Sequence, residues 1–155
     1  MMKIIYVSSE EIYKLLNMIV NAFDGEMYWD FRAYNEWYTR HDISKYIKIR
    51  KEVILTSDMK KFIDDNYDHL YIIFLTVYVS ITQPNNPIRN LEDLMNSNTR
   101  FAISVVDTTE IYIYVKNDHD FSKLYDLCNM VENSKVEIIH DFMHWDFDVS
   151  YILKK

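Results

Sequence analysis

The stretch LYIIFLTVYVSI, Leu70 to Ile81, is apolar almost throughout and is broken only by Thr76 and Ser80. A strand with one wet face alternates apolar and polar residues. A near-continuous β-branched and aromatic run therefore predicts a central strand covered on both faces. A buried helix tolerates the same run, but Tyr71, Ile72, Ile73, Val77, Tyr78, Val79 and Ile81 weight the choice toward strand, with Ile73 expected in the core. The run is too short and too polar at its edges to span a bilayer.

Upstream of this run, Ser57 is expected to cap a helix reaching about Tyr67, with Met59, Phe62 and Ile63 inward. Before it, KYIKIRKEVIL at 45–55 alternates Ile47 and Ile49 with Lys48 and Arg50 and predicts a strand, a short helix being the alternative. Residues 33–44 carry Tyr34, Trp37 and Tyr38 without a clean period. EMYWDFR at 26–32 alternates loosely and predicts another strand. At the start of the chain, Lys3–Val7 reads as a strand. Ser8 and Glu11 have capping-box spacing, and Ile12, Leu15, Leu16, Ile19, Val20 and Phe23 follow at helical spacing up to Gly25.

Downstream, QPNNP at 83–87 forces a break, and Asn90 can cap a short helix with Leu91, Leu94 and Met95 inward. FAISVV at 101–106 and EIYIYVK at 110–116, joined by DTT, predict a hairpin. Asp118 or Asp120 should cap a helix with Phe121, Leu124, Tyr125, Cys128 and Val131 on one face. Lys135–His140 and Trp145–Leu153 read as the last two strands. The expectation is one α+β domain over 1–155, a single mixed, mostly antiparallel sheet with helices packed on it. MYWDF at 27–31 and MHWDF at 143–147 look alike, but a true repeat shows a longer fixed period, so the match reads as coincidence.

Two of these blocks carry a likeness. HLYIIFLTVYVS at 69–80 and NLEDLMNSNTRFAISVVDTTEIYIYVK at 90–116 resemble a small protein family of Bacillus and related Firmicutes that bears a domain-of-unknown-function label. The likeness spans about residues 55–140. It departs after His140, where HDFMHWDFD stands in place of a more basic and polar ending. The resemblance implies a bacterial cytoplasmic protein of similar length and implies no activity.

Composition excludes more than any motif includes. Hydrophobic and aromatic contents of 49% and 15% are incompatible with a disordered chain. With Gly25 as the sole glycine there can be no P-loop, dinucleotide-binding GxGxxG or GxSxG elbow, each of which needs several. A lone cysteine, Cys128, rules out an internal disulfide, and its place on an apolar helical face points to packing. The N-terminus reaches Ser8 too soon to hold a signal peptide, so the expected location is the cytoplasm. The net charge of −7 argues against nucleic acid and anionic membranes as partners, and nothing calls for a cofactor.

Charge is segregated along the chain. Between Arg40 and Lys61 seven basic residues face three acidic ones, whereas Asp107–Asp148 holds ten acids against Lys116, Lys123 and Lys135. An acidic, aromatic surface suits a basic protein partner, through steered association and aromatic anchors. The leading expectation is therefore a non-enzymatic binding module, of the kind an immunity or inhibitor protein provides. Its candidate contacts are Trp29, Asp30, Tyr34, Glu36, Trp37 and Tyr38, with Asp126 and Glu132 on the acidic side. The alternative is an enzyme or a small-ligand or divalent-metal binder using His140, His144, Asp146 and Asp148. On a strand, however, Asp146 and Asp148 simply alternate with Trp145 and Phe147. A third reading is a homo-oligomer paired through its aromatic surface.

Overall fold

Branched and aromatic residues at period two build the sheet here, and residues at helical period cover one side of it. The computed structural model describes residues 2–33, 35–39, 42–47, 52–66, 70–106 and 109–140, with backbone alone for 35–39, 42–47 and 70–74. Its elements in chain order are β1 (Lys3–Ser8), α1 (Ile12–Ala22), β2 (Tyr28–Asp30), β3 (Asn35–Thr39), β4 (Asp42–Ile47), β5 (Val53–Leu55) and α2 (Thr56–Asn66). There follow β6 (Leu70–Ser80), α3 (Leu91–Asn96), β7 (Thr99–Val106), β8 (Glu110–Val115), α4 (Asp118–Asn129) and β9 (Lys135–Ile139).

The protein has the α+β class expected, and every strand pair among the described residues is antiparallel. The strand order is β4-β3-β6-β7-β8-β1-β9. The eleven-residue β6 is the organising strand. One of its edges is shared, β3 pairing with residues 70–75 and β2 with 78–80, while β7 takes the other edge. A further strand, β5, joins the outer edge of β2. The first strand of the chain ends up inside the sheet, between β8 and β9.

Register explains the two-sided burial. On the helix-covered face, Val77, Ile103, Ile113 and Ile5 form one row across β6, β7, β8 and β1. Trp29, Val79, Phe101 and Val115 form the next. All are buried, together with Leu15, Leu16, Ile19 and Val20 of α1, Met59 and Ile63 of α2, and Leu124 and Cys128 of α4. Each such side chain contributes about 1.5–3 kcal/mol by leaving water. The opposite face holds a smaller cluster, in which Ile4, Tyr78, Ala102 and Tyr114 meet Leu94 of α3.

Local caps differ from the expected ones. Ser8 belongs to β1; the hydroxyl of Ser9 accepts the Glu11 N–H at 3.0 Å instead. Helix α2 starts two residues early, at Thr56, whose hydroxyl is already bonded in the core. The Ser57 N–H and hydroxyl donate to the Glu26 carboxylate at 3.3 and 3.2 Å, so Ser57 is capped from outside rather than capping. Helix α4 is capped by Asn117, not Asp118 or Asp120. Its Oδ1 accepts the Asp120 N–H at 2.7 Å while its Nδ2 donates to the Asp120 carboxylate at 2.8 Å, a reciprocal pair with capping-box logic. Asn90 caps α3 as expected, at 2.8 Å from the Asp93 N–H. Met95, expected inward, is half exposed because the six-residue α3 turns only one side to the sheet.

The segment read as one strand over 45–55 contains parts of two, β4 and β5. Gly25 adopts φ +79°, the left-handed geometry that a residue without Cβ adopts freely just after a helix. The side chain of Ile73 and the strand expected at 145–153 lie outside the described residues, as does the second copy of the MxWDF pentapeptide.

Candidate functional site

Two surfaces have the geometry of binding sites, one polar and concave, the other acidic and convex. The concave one follows from the Pro and Asn residues after β6. Segment 81–90 cannot continue the strand, because Pro84 and Pro87 lack the N–H a ladder needs. It folds over α3 instead and leaves a cleft of about 360 Å³, lined by Gln83, Asn85, Asn86, Asn96 and Asn98 among others.

Each wall of this cleft is tied down. The buried carboxylate of Asp30 holds Arg32 in a two-pronged pair, at 2.9 Å from Nε and 2.8 Å from Nη2, and Arg32 Nη1 donates to the Asn85 carbonyl at 3.1 Å. Asn98 Nδ2 donates to Thr82 Oγ1 at 3.3 Å, and Ser80 Oγ to the Thr82 carbonyl at 2.8 Å. At the far end, Lys116 Nζ donates to the Ser97 and Met95 carbonyls at 2.6 and 3.3 Å, closing the C-terminus of α3 with a cation. Partial burial lowers the Lys116 pKa. The charged pair on the lining is internal: Arg89 donates to Asp93 through its backbone N–H at 3.0 Å and its Nε at 3.1 Å, and these bonds hold the Asp93 carboxyl below its ordinary range.

The convex surface is the outer side of α4 and the turn after it. Asp126 and Glu132 are exposed, and among the described residues neither is in an ion pair. Met130, one helical turn beyond Asp126, is 68% exposed. A hydrogen bond of 2.8 Å from the Ser134 hydroxyl to Ser9 ties this turn to the corner that carries exposed Glu10. Beneath the helix, Asp120 is fully buried and braced by Arg100 at 2.9 and 2.6 Å. Burial alone would raise the Asp120 pKa, but the Arg100 guanidinium and the Asn117 amide outweigh it and hold the carboxyl below its usual value. Arg100 also lies over the Phe23 ring, 5.2 Å from its centroid.

The expected contact residues separate sharply. Trp29 and Asp30 are interior, at 0% and 1% exposure, and cannot be surface anchors. The Trp29 indole N–H donates to the Thr56 hydroxyl at 3.0 Å, and its ring meets Phe101 edge-on at 6.3 Å. Asp30 serves Arg32. The sequence EMYWDFR concealed this because an aromatic–acid pair reads equally as interface or as core. Tyr34 lies outside the described residues. Glu36, Trp37 and Tyr38 have their backbones in β3, between β6 and β4, and their side chains lie outside the description. Asp126 and Glu132 are on the surface as expected, and the structure adds Met130 and Glu10 to them. An apolar residue just past a helix end, flanked by acids, was the available signal.

Of the alternative cluster, His140 is exposed at the end of β9, and His144, Asp146 and Asp148 lie outside the described residues. Among the described residues no group of three His, Cys, Asp or Glu side chains is placed to hold a metal. Cys128 is buried, and burial pushes its thiol up to about 12, which leaves it inert at neutral pH. Among the described residues no helix is long and apolar enough to cross a membrane.

Comparison with known families matches residues 2–146 to the family described as a protein of unknown function, DUF2691, and the chain belongs to that family. The match begins well before the 55–140 span over which the likeness was read. No curated protein and no solved structure matches the chain.

Proposed function

We propose that this chain is a non-enzymatic, cytoplasmic protein-binding module that covers a basic surface of a partner, in the manner of an immunity or inhibitor protein. The supporting observation is the grouping of Asp126, Met130 and Glu132 on the outer side of α4 and its following turn. It presents carboxylates that, among the described residues, are free of ion pairs, beside a protruding apolar side chain. Carboxylates of this kind speed encounter with a basic partner and set its orientation, while a partly desolvated methionine holds the complex. A chain carrying −7 is repelled by phosphate-rich partners and attracted to basic ones.

The test begins with capture from native cytoplasm at low and moderate salt, using the wild-type chain and the Asp126→Lys/Glu132→Lys double variant. A basic partner released by salt should bind the variant with an association rate lower by about tenfold and a flatter salt dependence. Met130→Ala should act instead on the dissociation rate. An on-rate unchanged by the double charge reversal rules out the α4 face as the interface. Light scattering over a range of concentrations separates this reading from self-association.

A further inference from the structure

The cleft between segment 81–90 and α3 is not used by the α4 surface and stands independently of the reading above. We propose that it is a binding site for a small, uncharged, hydroxyl-rich ligand of the saccharide or polyol class. Three features of the cleft select that chemistry. Its uncommitted hydrogen-bonding groups include three amides: Gln83, Asn86 and Asn96 line it and have no side-chain hydrogen bond among the described residues, whereas Ser80, Thr82 and Ser97 are bonded internally. Each amide offers a donor and an acceptor, the pattern a pair of neighbouring hydroxyls satisfies.

The cleft also has no charge to spend on a ligand. Its two charged lining residues, Arg89 and Asp93, are paired with each other, so an anion or a cation would lose hydration without gaining an uncompensated counter-charge. The remaining ligand classes fit poorly. A nucleobase needs an aromatic platform, and the lining has none; the apolar contribution comes from Pro84, Pro87 and Ile88. An extended peptide needs a strand edge, and segment 81–90 is not a strand and carries two prolines that lack a donor N–H.

The site is preorganised. Its volume, about 360 Å³, lies at the small end of known ligand sites, roughly 300–1,000 Å³. The Asp30–Arg32–Asn85 chain, the Asn98–Thr82 bond and the Lys116–Ser97 bond fix its walls from three sides before any ligand arrives. Holding the frame rigid lowers the ordering cost of binding, which matters when affinity rests on neutral hydrogen bonds.

The experiment is a titration of the full chain with glucose, maltose, trehalose and myo-inositol, followed by amide nuclear magnetic resonance, with sulfate and acetate as charged controls. The expected result is saturable shifts for at least one neutral probe, concentrated on the side-chain NH₂ groups of Gln83, Asn86 and Asn96. Asn86→Ala and Asn96→Ala should each weaken that probe by roughly five- to tenfold. Both residues are exposed, so the variants keep the wild-type spectrum elsewhere. Absence of shifts with every neutral probe at tens of millimolar overturns the proposal. So do shifts produced by the charged controls alone, and so does neutral-probe binding that both substitutions leave unchanged.

Discussion

The two faces of the sheet are built by the same strands and obey different chemistry. On the helix-covered face the row Val77–Ile103–Ile113–Ile5 is purely aliphatic. One residue along, on the other face, Tyr78–Ala102–Tyr114–Ile4 and Thr76–Ser104–Tyr112–Tyr6 place hydroxyl groups at buried positions, Tyr6 alone being half-buried. Thr76 and Ser104 bond to each other at 3.2 Å, and Tyr6 donates to Glu110 at 3.1 Å. Tyr78 and Tyr114 keep their hydroxyls buried with no hydrogen-bond partner among the described residues. The difference teaches that hydropathy along a strand measures burial and not polarity: tyrosine and threonine pass for core while carrying oxygen into it.

The largest break in this comparison comes from a charge on the aliphatic face. Ile103→Asp should abolish cooperative unfolding, since an unpaired buried carboxylate costs several kcal/mol, roughly the whole stability of a small domain. A soluble variant that still melts cooperatively would show that face to be less closed than described.

Next is Trp29→Ala, which should cost about 3–5 kcal/mol through the cavity it leaves, while the Thr56 hydroxyl keeps its bonds to the Met27 backbone. Denaturant midpoints check it. A loss below about 1 kcal/mol would return Trp29 to the surface.

The Arg100–Asp120 pair beneath α4 sharpens the comparison with a pH axis. Its folded-state carboxyl is depressed below its unfolded value, about 3.9, so its stabilisation is complete above that pH and is lost as pH falls through the folded value. Asp120→Asn should cost about 1–3 kcal/mol at neutral pH, less than a fully buried pair because Arg100 is one-quarter exposed. It should also flatten the fall in urea midpoint as pH drops below about 4. An unchanged pH profile would remove Asp120 from that dependence.

The smallest effect belongs to the tyrosine face. Tyr78→Phe and Tyr114→Phe should each change stability by less than about 1 kcal/mol, because the hydroxyl removed has no bond to lose. Burial raises the Tyr112 phenol to about 12 and those of Tyr78 and Tyr114 further. Raised pKa values mean stability is intact below about pH 10, where unfolded tyrosines ionise, and declines above it. Ultraviolet titration should show these phenols ionising together with unfolding rather than before it.

Much of the fold could be read in advance for a definite reason. Helix α1, the β7–β8 hairpin and β6 each carry a full periodic set of apolar residues, and periodicity reports which side chains share a face. Helix starts were less legible, because Ser8 and Ser9, Asn117 and Asp118, or Thr56 and Ser57 offer the same oxygen one residue apart. Among the proposed contacts, Asp126 on α4 and Glu132 in the turn after it are on the surface, whereas Trp29 and Asp30 were misplaced. Their burial depends on Thr56 and Arg32, partners that no local pattern announces.

By itself, the sequence determined the α+β class, the central strand, the absence of glycine-loop enzyme sites and the acidic balance, since these depend on composition and on contacts within an element. Only the tertiary structure decided that β1 lies between β8 and β9, that Asp30 reaches the 81–90 segment through Arg32, and that five amide side chains line one cleft. Those are pairings between residues far apart in the chain. Their free energy exists only once the loops between them have closed, so no window of the sequence contains it.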